Sequence, residues 1–418
     1  MLYGSKGPIL IERIHHLLAT KYGSKEERKC LANQALQYFE EIDYYSCPYA
    51  ELFWSVSEKS KPIFKLKRPR NLTDEELALE KTLAHEYKEA IALLENLKVE
   101  PSNTVQRLEK ITQVYFLSKN YKALEELEFR LTNLRNASDI ISYTELESYR
   151  SCILLICASY YMHGRYMDCC NKFFNILEED PEMLNTLSAK ESAPFLNNEE
   201  FIYMITISII VSIPLDNYDS FIYLDEIQGF CKAFPILVKC LKLLISTSFK
   251  KFFTLWNNDI NAKCIRSPFI YQSWGSVQCM MRSKIFFFYL RFSNKITISY
   301  LSETLGIDYN LIRSEILQII ISGKLNFVIE DDIIYYKSKH ILEDALKGLE
   351  KNYDMINEIL ELKKLKNETL RNTAQDIIIN NNNLARENAL NHVSTLKTDD
   401  SDDSDREVLS MQTPSQEI

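Results

Sequence analysis

The sequence predicts a mainly α-helical protein in which a tetratricopeptide-like helical-repeat solenoid is followed by a winged-helix module and a long C-terminal helix. Three observations favour this fold. The 418 residues include only nine glycines and eleven prolines, which is typical of long helices rather than of turn-rich sheets. A helix–turn–helix pattern recurs along the chain. Towards the C-terminal end, the spacing of apolar residues changes from that of helices to that of strands.

Residues 1–71 form the predicted N-terminal region, with amphipathic helices near residues 9–21 and 26–42. The stretch at residues 59–71, KSKPIFKLKRPRN, is basic and contains two prolines. It is a single short run with one aromatic residue, which is typical of a solvated loop rather than of a nucleic-acid-binding arm. We therefore interpret it as a linker.

The helical-repeat solenoid is predicted for residues 72–257. Thr73, with Glu76 three residues later, is expected to form the capping box of its first helix. Farther along, two 21-residue segments align without gaps, and each is predicted to be a helix, a tight turn and a second helix. Such pairs bury their apolar faces by stacking on one another. The segments are residues 111–131 and 156–176, in which Tyr115 aligns with Tyr160, Tyr121 with Tyr166 and Leu131 with Ile176.

The winged helix is predicted for residues 258–337. An apolar helix is followed by two shorter ones, whose first turns Thr297 and Asp308 are expected to cap. Leu325, Phe327 and Ile329 then alternate with the residues at 326, 328 and 330, an aspartate pair makes a turn, and residues 333–336 form the returning strand. Three helices followed by one hairpin are typical of a helix-turn-helix with a wing.

A long C-terminal helix is predicted for residues 338–370, because apolar residues recur there with alternating spacings of three and four. About two heptads are short for a free-standing coiled coil, so this helix is expected to need partner helices. Its seam consists of Leu346, Leu349, Tyr353, Ile356 and Leu360.

The remaining residues, 371–418, are polar and poor in aromatic residues, and we expect a mostly disordered acidic tail. Ser404 is followed three residues later by Glu407, a spacing typical of an acidophilic kinase site. A tail without such a role is the alternative.

The sequence contains no constellation typical of catalysis or metal binding. None of the ten cysteines forms a CxxC pair, and the six histidines are scattered, so zinc-ligand spacing is absent. No phosphate-binding glycine loop, HExxH or GxSxG motif occurs. We therefore predict a protein that is not an enzyme and that uses no cofactor and no metal.

Two further features bear on the cellular environment. The apolar run at residues 201–213 is shorter than the ~20 residues that a membrane span needs, so a buried helix is predicted and no membrane partner is expected. Many cysteines lie inside apolar helical runs, where a free thiol behaves as a small hydrophobic group. This pattern favours a reducing intracellular compartment over a disulfide scaffold.

A winged helix could instead read DNA, which makes a nucleic-acid-binding regulator the main alternative. The predicted recognition helix offers Asn310, Arg313 and Gln318, but it also carries Glu315, and the wing has two aspartates at 331–332. Carboxylates repel phosphates, and the chain has 49 basic residues against 58 acidic ones. Nucleic acid is therefore not the expected partner.

The order of these parts resembles the PCI-domain family of the proteasome lid, the signalosome and an initiation factor, and it is most similar to signalosome subunit one and its proteasome-lid counterpart. The resemblance covers residues 75–350 and rests on an ordered series of segments rather than on one motif. The segments are CASYYMHGRYMDCCNKFF (157–174), FIYMITISIIVSI (201–213), FPILVKCLKLLISTSFKKFFTLW (234–256), KIFFFYLRFSNKITISYLSETLG (284–306) and LIRSEILQIIISGKLNFVIEDDIIYY (311–336).

Two features depart from the family pattern. PLDNYDS, at residues 214–220, stands where the family has a basic turn, and residues 328–330 read Val-Ile-Glu where its wing has Arg-Ile-Asp. Such drift favours a divergent signalosome subunit over a proteasome-lid subunit.

The resemblance implies a non-catalytic scaffold in a hetero-oligomer. Its expected partners are other PCI-domain subunits and a complex bearing a metalloprotease, which in the signalosome removes a ubiquitin-like modifier from cullins. An open sheet edge would pair with a neighbouring hairpin, and the C-terminal helix would join a bundle. The residues expected at the edge are Leu325, Phe327, Ile329, Ile334 and Tyr336.

The resemblance leaves other assignments open. A proteasome-lid subunit, or a PCI subunit of translation initiation, has the same fold and is the alternative within this family. The resemblance also implies a location in the cytoplasm and nucleus.

Overall fold

The computed structural model describes residues 7–44, 46–59, 72–97, 103–137, 143–188, 195–218, 223, 225–337 and 341–393. The chain divides into two compact units, Met1–Lys337 and Ser338–Ile418, and each is described by itself. The mainly α-helical fold expected from the sequence, with its repeats, winged helix and long C-terminal helix, is confirmed. The finer division into five parts stays a prediction, and the proposed linker at residues 59–71 lies outside the described residues.

The first unit is built from helices of unequal length. Its N-terminal and repeat helices are α1 (Pro8–Ala19), α2 (Lys25–Ile42), α3 (Ala50–Ser57), α4 (Asp74–Leu83), α5 (Tyr87–Asn96), α6 (Thr104–Leu117), α7 (Tyr121–Ala137), α8 (Tyr143–Met162), α9 (Tyr166–Glu179), α10 (Met183–Ser188) and α11 (Asn198–Ser212). After a short 3₁₀ turn at Leu215–Asn217 come α12 (Asp225–Ala233), α13 (Pro235–Ile245), α14 (Phe249–Leu255), a π-helical turn at Trp256–Ile260, α15 (Asn261–Cys264) and α16 (Pro268–Phe292).

The predicted repeat consists of α6–α7 and α8–α9, and both pairs turn in the same way. At the turn, Lys119 (φ 55°) and Gly164 (φ 79°) occupy equivalent left-handed positions. The next amide donates back across the turn in each copy, from Asn120 to the Tyr115 carbonyl at 3.0 Å and from Arg165 to the Tyr160 carbonyl at 2.9 Å. This is the Schellman arrangement, which satisfies carbonyls that the helix end would otherwise leave unpaired.

A third repeat, which the sequence analysis missed, precedes these two. The turn between α4 and α5 has His85 at φ 63°, and the Glu86 amide donates to the Lys81 carbonyl at 2.9 Å. His85 stands 34 residues before Lys119, the usual tetratricopeptide spacing. The sequence carried a signal, since Tyr87-Lys88 recurs as Tyr121-Lys122 at that interval.

One continuous apolar core runs through the first unit. It extends from Ala78 in α4, through the repeats, to Ile334 in the wing, so the repeats and the winged helix are not separated by a polar layer. The apolar run of α11 lies in this core, with Phe201 and Met204 fully buried, as the sequence predicts. None of the helices in the described part of the chain is long and apolar enough to cross a membrane.

The N-terminal helices α1–α3 surround a second, smaller core, and α1 contributes to both cores. Ile9 belongs to the large core, whereas Leu10 and Ile14 belong to the N-terminal one. A buried ion pair joins α1 to α11, with Arg13 Nη1 donating to Glu200 Oε1 at 2.6 Å. The Arg13 guanidinium also lies 5.8 Å from the centre of the Phe269 ring in α16. The N-terminal helices are therefore held against the middle of the chain.

The winged helix follows α16 and has the predicted caps. Thr297 accepts a hydrogen bond from the Tyr300 amide, and Asp308 accepts one from the Leu311 amide. Gly306 ends the first of these helices in the left-handed conformation, with φ 69°. The elements are β1 (Lys295–Thr297), α17 (Ile298–Leu305), α18 (Tyr309–Ser322), β2 (Phe327–Glu330) and β3 (Ile333–Tyr336), and the sheet order is β1-β3-β2, antiparallel throughout.

The second unit contains one helix, α19 (Ile341–Val393). It extends well beyond residue 370, where the sequence analysis ended it, so the expectation of disorder from residue 371 onward was wrong as far as Val393. The asparagine run at residues 380–383 lies within the helix rather than after it. Asparagine costs only a few tenths of a kcal/mol relative to the best helix formers, and Ile377 and Leu384 continue the helical apolar spacing on either side.

The Arg13–Glu200 pair provides a test of how the N-terminal helices are held. The two side chains are 6% and 12% exposed. Replacing Glu200 with Ala leaves a buried guanidinium without its counter-charge, which should cost about 3 kcal/mol of folding free energy. We expect a clearly lower thermal midpoint for Glu200→Ala, measured by circular dichroism.

The neighbouring residue is a matched control for this test. Glu199 pairs with Lys263 at 2.6 Å, but these side chains are 44% and 37% exposed, so Glu199→Ala should cost less than about 1 kcal/mol. Equal midpoints for the two variants would show that the buried pair does not hold the N-terminal helices.

Candidate protein-binding site

Strand β2 is a free edge of the wing sheet. Register pairs Ile329 with Ile334 and Phe327 with Tyr336, and the Lys337 amide donates to the Asn326 carbonyl at 2.7 Å. In an antiparallel ladder, hydrogen-bonded and non-hydrogen-bonded pairs alternate, so the Phe327 and Ile329 pairs are the non-hydrogen-bonded ones. The amides and carbonyls of these two residues therefore point away from β3, towards the open side of the sheet.

The structure separates the five residues that the sequence analysis assigned to the edge. Phe327 and Ile329 lie on β2, with their side chains packed against the core, and Leu325 is half-buried just before the strand. Ile334 and Tyr336 lie on the central strand β3 instead, and Ile334 is fully buried. Placing them at the edge was wrong, because β1 covers the other side of β3.

Strand β1 could not be seen in the sequence. It has only three residues, too few for an alternating pattern to be recognised, and it leads directly into the Thr297 cap of α17. The Tyr336 amide donates to the Asn294 carbonyl at 2.8 Å and the Ile298 amide to the Asp332 carbonyl at 2.8 Å. These bonds occupy the main chain of β3 on the side away from β2.

Arg313 and Glu315 of α18 and Asp332 of the wing are engaged within the module. Arg282 of α16 forms a bidentate ion pair with Glu315, with Nε–Oε2 and Nη2–Oε1 distances of 2.8 and 2.6 Å, so Glu315 is buried rather than displayed. Arg313 donates to the Asp331 carbonyl. The Ser299 amide donates to Asp332 Oδ1 at 3.0 Å, and hydrogen bonding from Ser299 lowers the pKa of that carboxyl.

The exposed surface of α18 is therefore poorly suited to a DNA groove. Its arginine is used at the wing, and the apolar side chains of Leu317 and Ile321 are 47% and 68% exposed. A recognition helix instead presents basic and amide groups to bases and phosphates.

A half-buried lysine, missed in the sequence analysis, fastens α11 to α16. Four acceptors share the three N–H groups of the Lys284 ammonium: the Ile210 and Val211 carbonyls at 2.6 and 3.0 Å, the Ile213 carbonyl, and the Tyr218 hydroxyl at 2.9 Å. Desolvation lowers the pKa of this lysine to about 7. The sequence carries a signal for this role of Lys284, because it is a single cation at the start of the apolar run KIFFFYL.

The predicted seam residues of α19 are all exposed. The exposed fractions are 52% for Leu346, 64% for Leu349, 66% for Tyr353, 54% for Ile356 and 48% for Leu360.

Among the described residues, no group of three or more His, Cys, Asp or Glu side chains is placed to hold a metal ion. Ser404 lies outside the described residues, and its modification stays a prediction.

The chain combines helical repeats and a winged helix around one continuous core, and it adds a free strand edge and a separate helix with exposed apolar residues. This combination defines a class of subunit that binds other chains. Comparison with known proteins specifies it further. Residues 1–278 match the family described as the CSN11 N-terminal domain, and residues 295–412 match the CSN11 C-terminal domain. The chain belongs to the COP9 signalosome subunit 11 family.

Curated relatives align with two thirds or more of the chain. The Cop9 signalosome complex subunit 11 of Saccharomyces cerevisiae is 40% identical, over 97% of this chain and 96% of its own length. The corresponding subunit of Candida glabrata is 33% identical, over 93% and 91%. That of Kluyveromyces lactis is 34% identical, over 68% and 70%. The prediction of a divergent signalosome subunit is confirmed. The abundance of tyrosine, isoleucine and asparagine in the sequence suggests a budding yeast, for which subunit eleven is the candidate, and the assignment to subunit eleven is confirmed as well.

The winged helix leads to a simple expectation for nucleic acid. Titrating labelled duplex DNA into the full chain over a series of salt concentrations should show no specific binding and no steep salt slope, because too few cations face outward on α18. Tight binding that falls linearly with the logarithm of salt concentration would contradict this, and an Arg313→Ala variant would then show whether α18 contributes.

Proposed function

We propose that this protein is a non-catalytic scaffold subunit of the COP9 signalosome in its own organism. The observation that carries the proposal is the match over nearly the whole length to proteins named as subunit 11 of that complex. The catalytic metalloprotease that removes the ubiquitin-like modifier from cullins belongs to another subunit, and this chain positions its neighbours. The complex acts in the cytoplasm and nucleus.

Two surfaces join the subunit to its neighbours. At the free edge of β2, the main chains of Phe327 and Ile329 offer two amides and two carbonyls to an incoming strand. Strand addition of this kind takes its affinity from main-chain hydrogen bonds and its register from side chains. The second surface is the exposed apolar seam of α19, which buries its side chains against partner helices.

The binding free energies expected from the two surfaces indicate different roles for them. A net hydrogen bond contributes about 1 kcal/mol, so the edge supplies on the order of 4 kcal/mol, well short of the ~8 kcal/mol that micromolar binding requires. Burying one large apolar side chain contributes about 1.5–3 kcal/mol, and the predicted α19 seam contains five of them. The helix therefore supplies most of the affinity, and the edge fixes the arrangement of the subunits.

A truncation tests the role of α19. A chain that ends at Lys337 keeps the first unit, including its whole core, but loses the helix. We expect affinity purification from the native organism, followed by mass spectrometry, to recover the truncated protein without its companion subunits. A chain that ends at Val393 retains α19 and is the control. Recovery of the normal set of subunits with the Lys337 truncation would contradict the role of the helix.

A proline substitution tests the β2 edge. The Phe327 amide points outward, so Phe327→Pro removes a donor from the free edge without removing a hydrogen bond of the hairpin. We expect this variant to recover fewer companion subunits in the same purification. Phe327→Ala loses the same aromatic ring but keeps the amide, and it should recover more subunits than the proline variant. Equal recovery of both variants would show that the edge is not an interface.

A further inference from the structure

The apolar seam of α19 continues past the residues recognised in the sequence. The heptad register set by Leu346 and Leu349 can be followed without a break to Leu384. Its a positions are Leu346, Tyr353, Leu360, Asn367, Ala374 and Asn381, and its d positions are Leu349, Ile356, Lys363, Leu370, Ile377 and Leu384.

The width of this seam changes at Lys363. Before it, Met355 and Leu362 at c and Ile359 at g are all exposed and widen the apolar stripe to roughly 160° of the helix surface. A stripe of that width needs more than one neighbouring helix. From Lys363 to Leu384 no apolar residue stands at c or g, and the apolar residues outside a and d are Ile378 at e and Leu365 and Ile379 at f. The stripe is therefore narrower there, which favours pairing with a single helix.

Two asparagines occupy a positions in the narrow part. Asn367 and Asn381 stand two heptads apart on the seam. An asparagine at a buried a position requires a hydrogen-bonding partner across the interface, and it fixes the register and the number of strands at some expense of stability. The helix that covers this seam therefore carries polar side chains opposite these two residues.

Cations flank the same stretch. Lys363 lies at d, Lys364 and Arg371 at e, and Lys366 at g, and all are exposed. Lys364 pairs with Glu361 of the same helix at 3.0 Å. The acidic residues at 361 and 368 occupy b positions, away from the seam. Both flanks of the narrow seam are therefore basic, since e and g positions lie on opposite sides of the a and d positions.

This charge pattern disfavours a second copy of the chain as the partner. In a parallel pair of two α19 helices, Lys363 would meet Lys363 of the other copy, and Lys366 would meet Arg371. Like charges at the d, e and g positions disfavour such pairing. Charge complementarity requires carboxylates on the other helix.

We infer that the part of α19 from Lys363 to Leu384 pairs, in parallel, with one acidic amphipathic helix of a neighbouring subunit. That helix carries Asp or Glu facing Lys363, Lys366 and Arg371, and asparagine facing Asn367 and Asn381. The inference rests on the proposed role of α19 in assembly, and it specifies the chemistry of one partner there.

Two synthetic peptides test the inference with the full-length protein. Both carry the same apolar seam and two asparagines at matching a positions, but one has Glu and the other Lys at the positions facing Lys363, Lys366 and Arg371. Fluorescence anisotropy should show the Glu peptide binding at least about tenfold tighter at low salt, since several ion pairs add, with the ratio falling as salt is raised. Equal affinities, or concentration-dependent dimerisation of the protein alone in analytical ultracentrifugation, would overturn the inference.

Charge-reversal variants provide the matched control. K363E/K366E/R371E should reverse the preference, so that the Lys peptide binds more tightly. K347E/K351E/R386E makes the same change in net charge at exposed b and f positions and should leave the preference unchanged. A preference that shifts equally in both triple variants would reflect net charge alone and would also overturn the inference.

Purification of the same variants from the native organism separates this inference from the proposed function. If K363E/K366E/R371E still recovers every companion subunit while the chain ending at Lys337 recovers none, the acidic-partner inference fails and the role of α19 in assembly stands. If the chain ending at Lys337 also recovers them all, the proposed role of α19 fails as well.

Discussion

The continuous apolar core of the first unit is the constraint on which the rest of the structure depends. A pair of helices cannot bury its apolar face alone, so each pair must be covered by the next. Here that covering continues from Ala78 in α4 to Ile334 in β3 without a polar break. The winged helix therefore closes the end of the stack, and its orientation is set by the repeats.

The helix ends and a few buried ionic contacts position the layers of this core. Schellman turns at His85, Lys119 and Gly164 reverse the chain while satisfying the last carbonyls of each helix. Lys284 does the same for α11 from another helix, because its ammonium group reaches the free carbonyls at the end of α11. Arg282–Glu315 joins α16 to α18 within the winged helix. These contacts engage charged side chains within the first unit.

Two surfaces of the described chain expose groups that can bind another chain. The outer main chain of β2 is unpaired within the sheet, and α19 exposes apolar side chains along most of its length. The two differ in what they contribute, since strand pairing gives geometry and apolar burial gives affinity. The change from a wide seam to a narrow, basic one along α19 indicates that the helix meets different neighbours along its length.

The sequence by itself determined the features that depend on nearby residues. The caps at Thr297 and Asp308 and the alternation of the wing each depend on residues that lie within a few positions of one another. The repeat is recognised by aligning two such local patterns, which places Tyr115 on Tyr160. A third repeat was equally visible, in Tyr87 and Tyr121, but it was overlooked. Helix α19 was recognised but ended too early, because the polar composition of the residues after 370 was interpreted as disorder.

Only the tertiary structure decided which distant groups meet. Arg13 and Glu200 are 187 residues apart, and neither lies in a motif that indicates the other. Glu315, which looked like part of a recognition surface, is buried because Arg282 lies opposite it. Strand β1 is too short to show a pattern, yet its pairing with β3 leaves β2 with the four-residue free edge. Such pairings depend on packing across the whole core, which local spacing cannot encode.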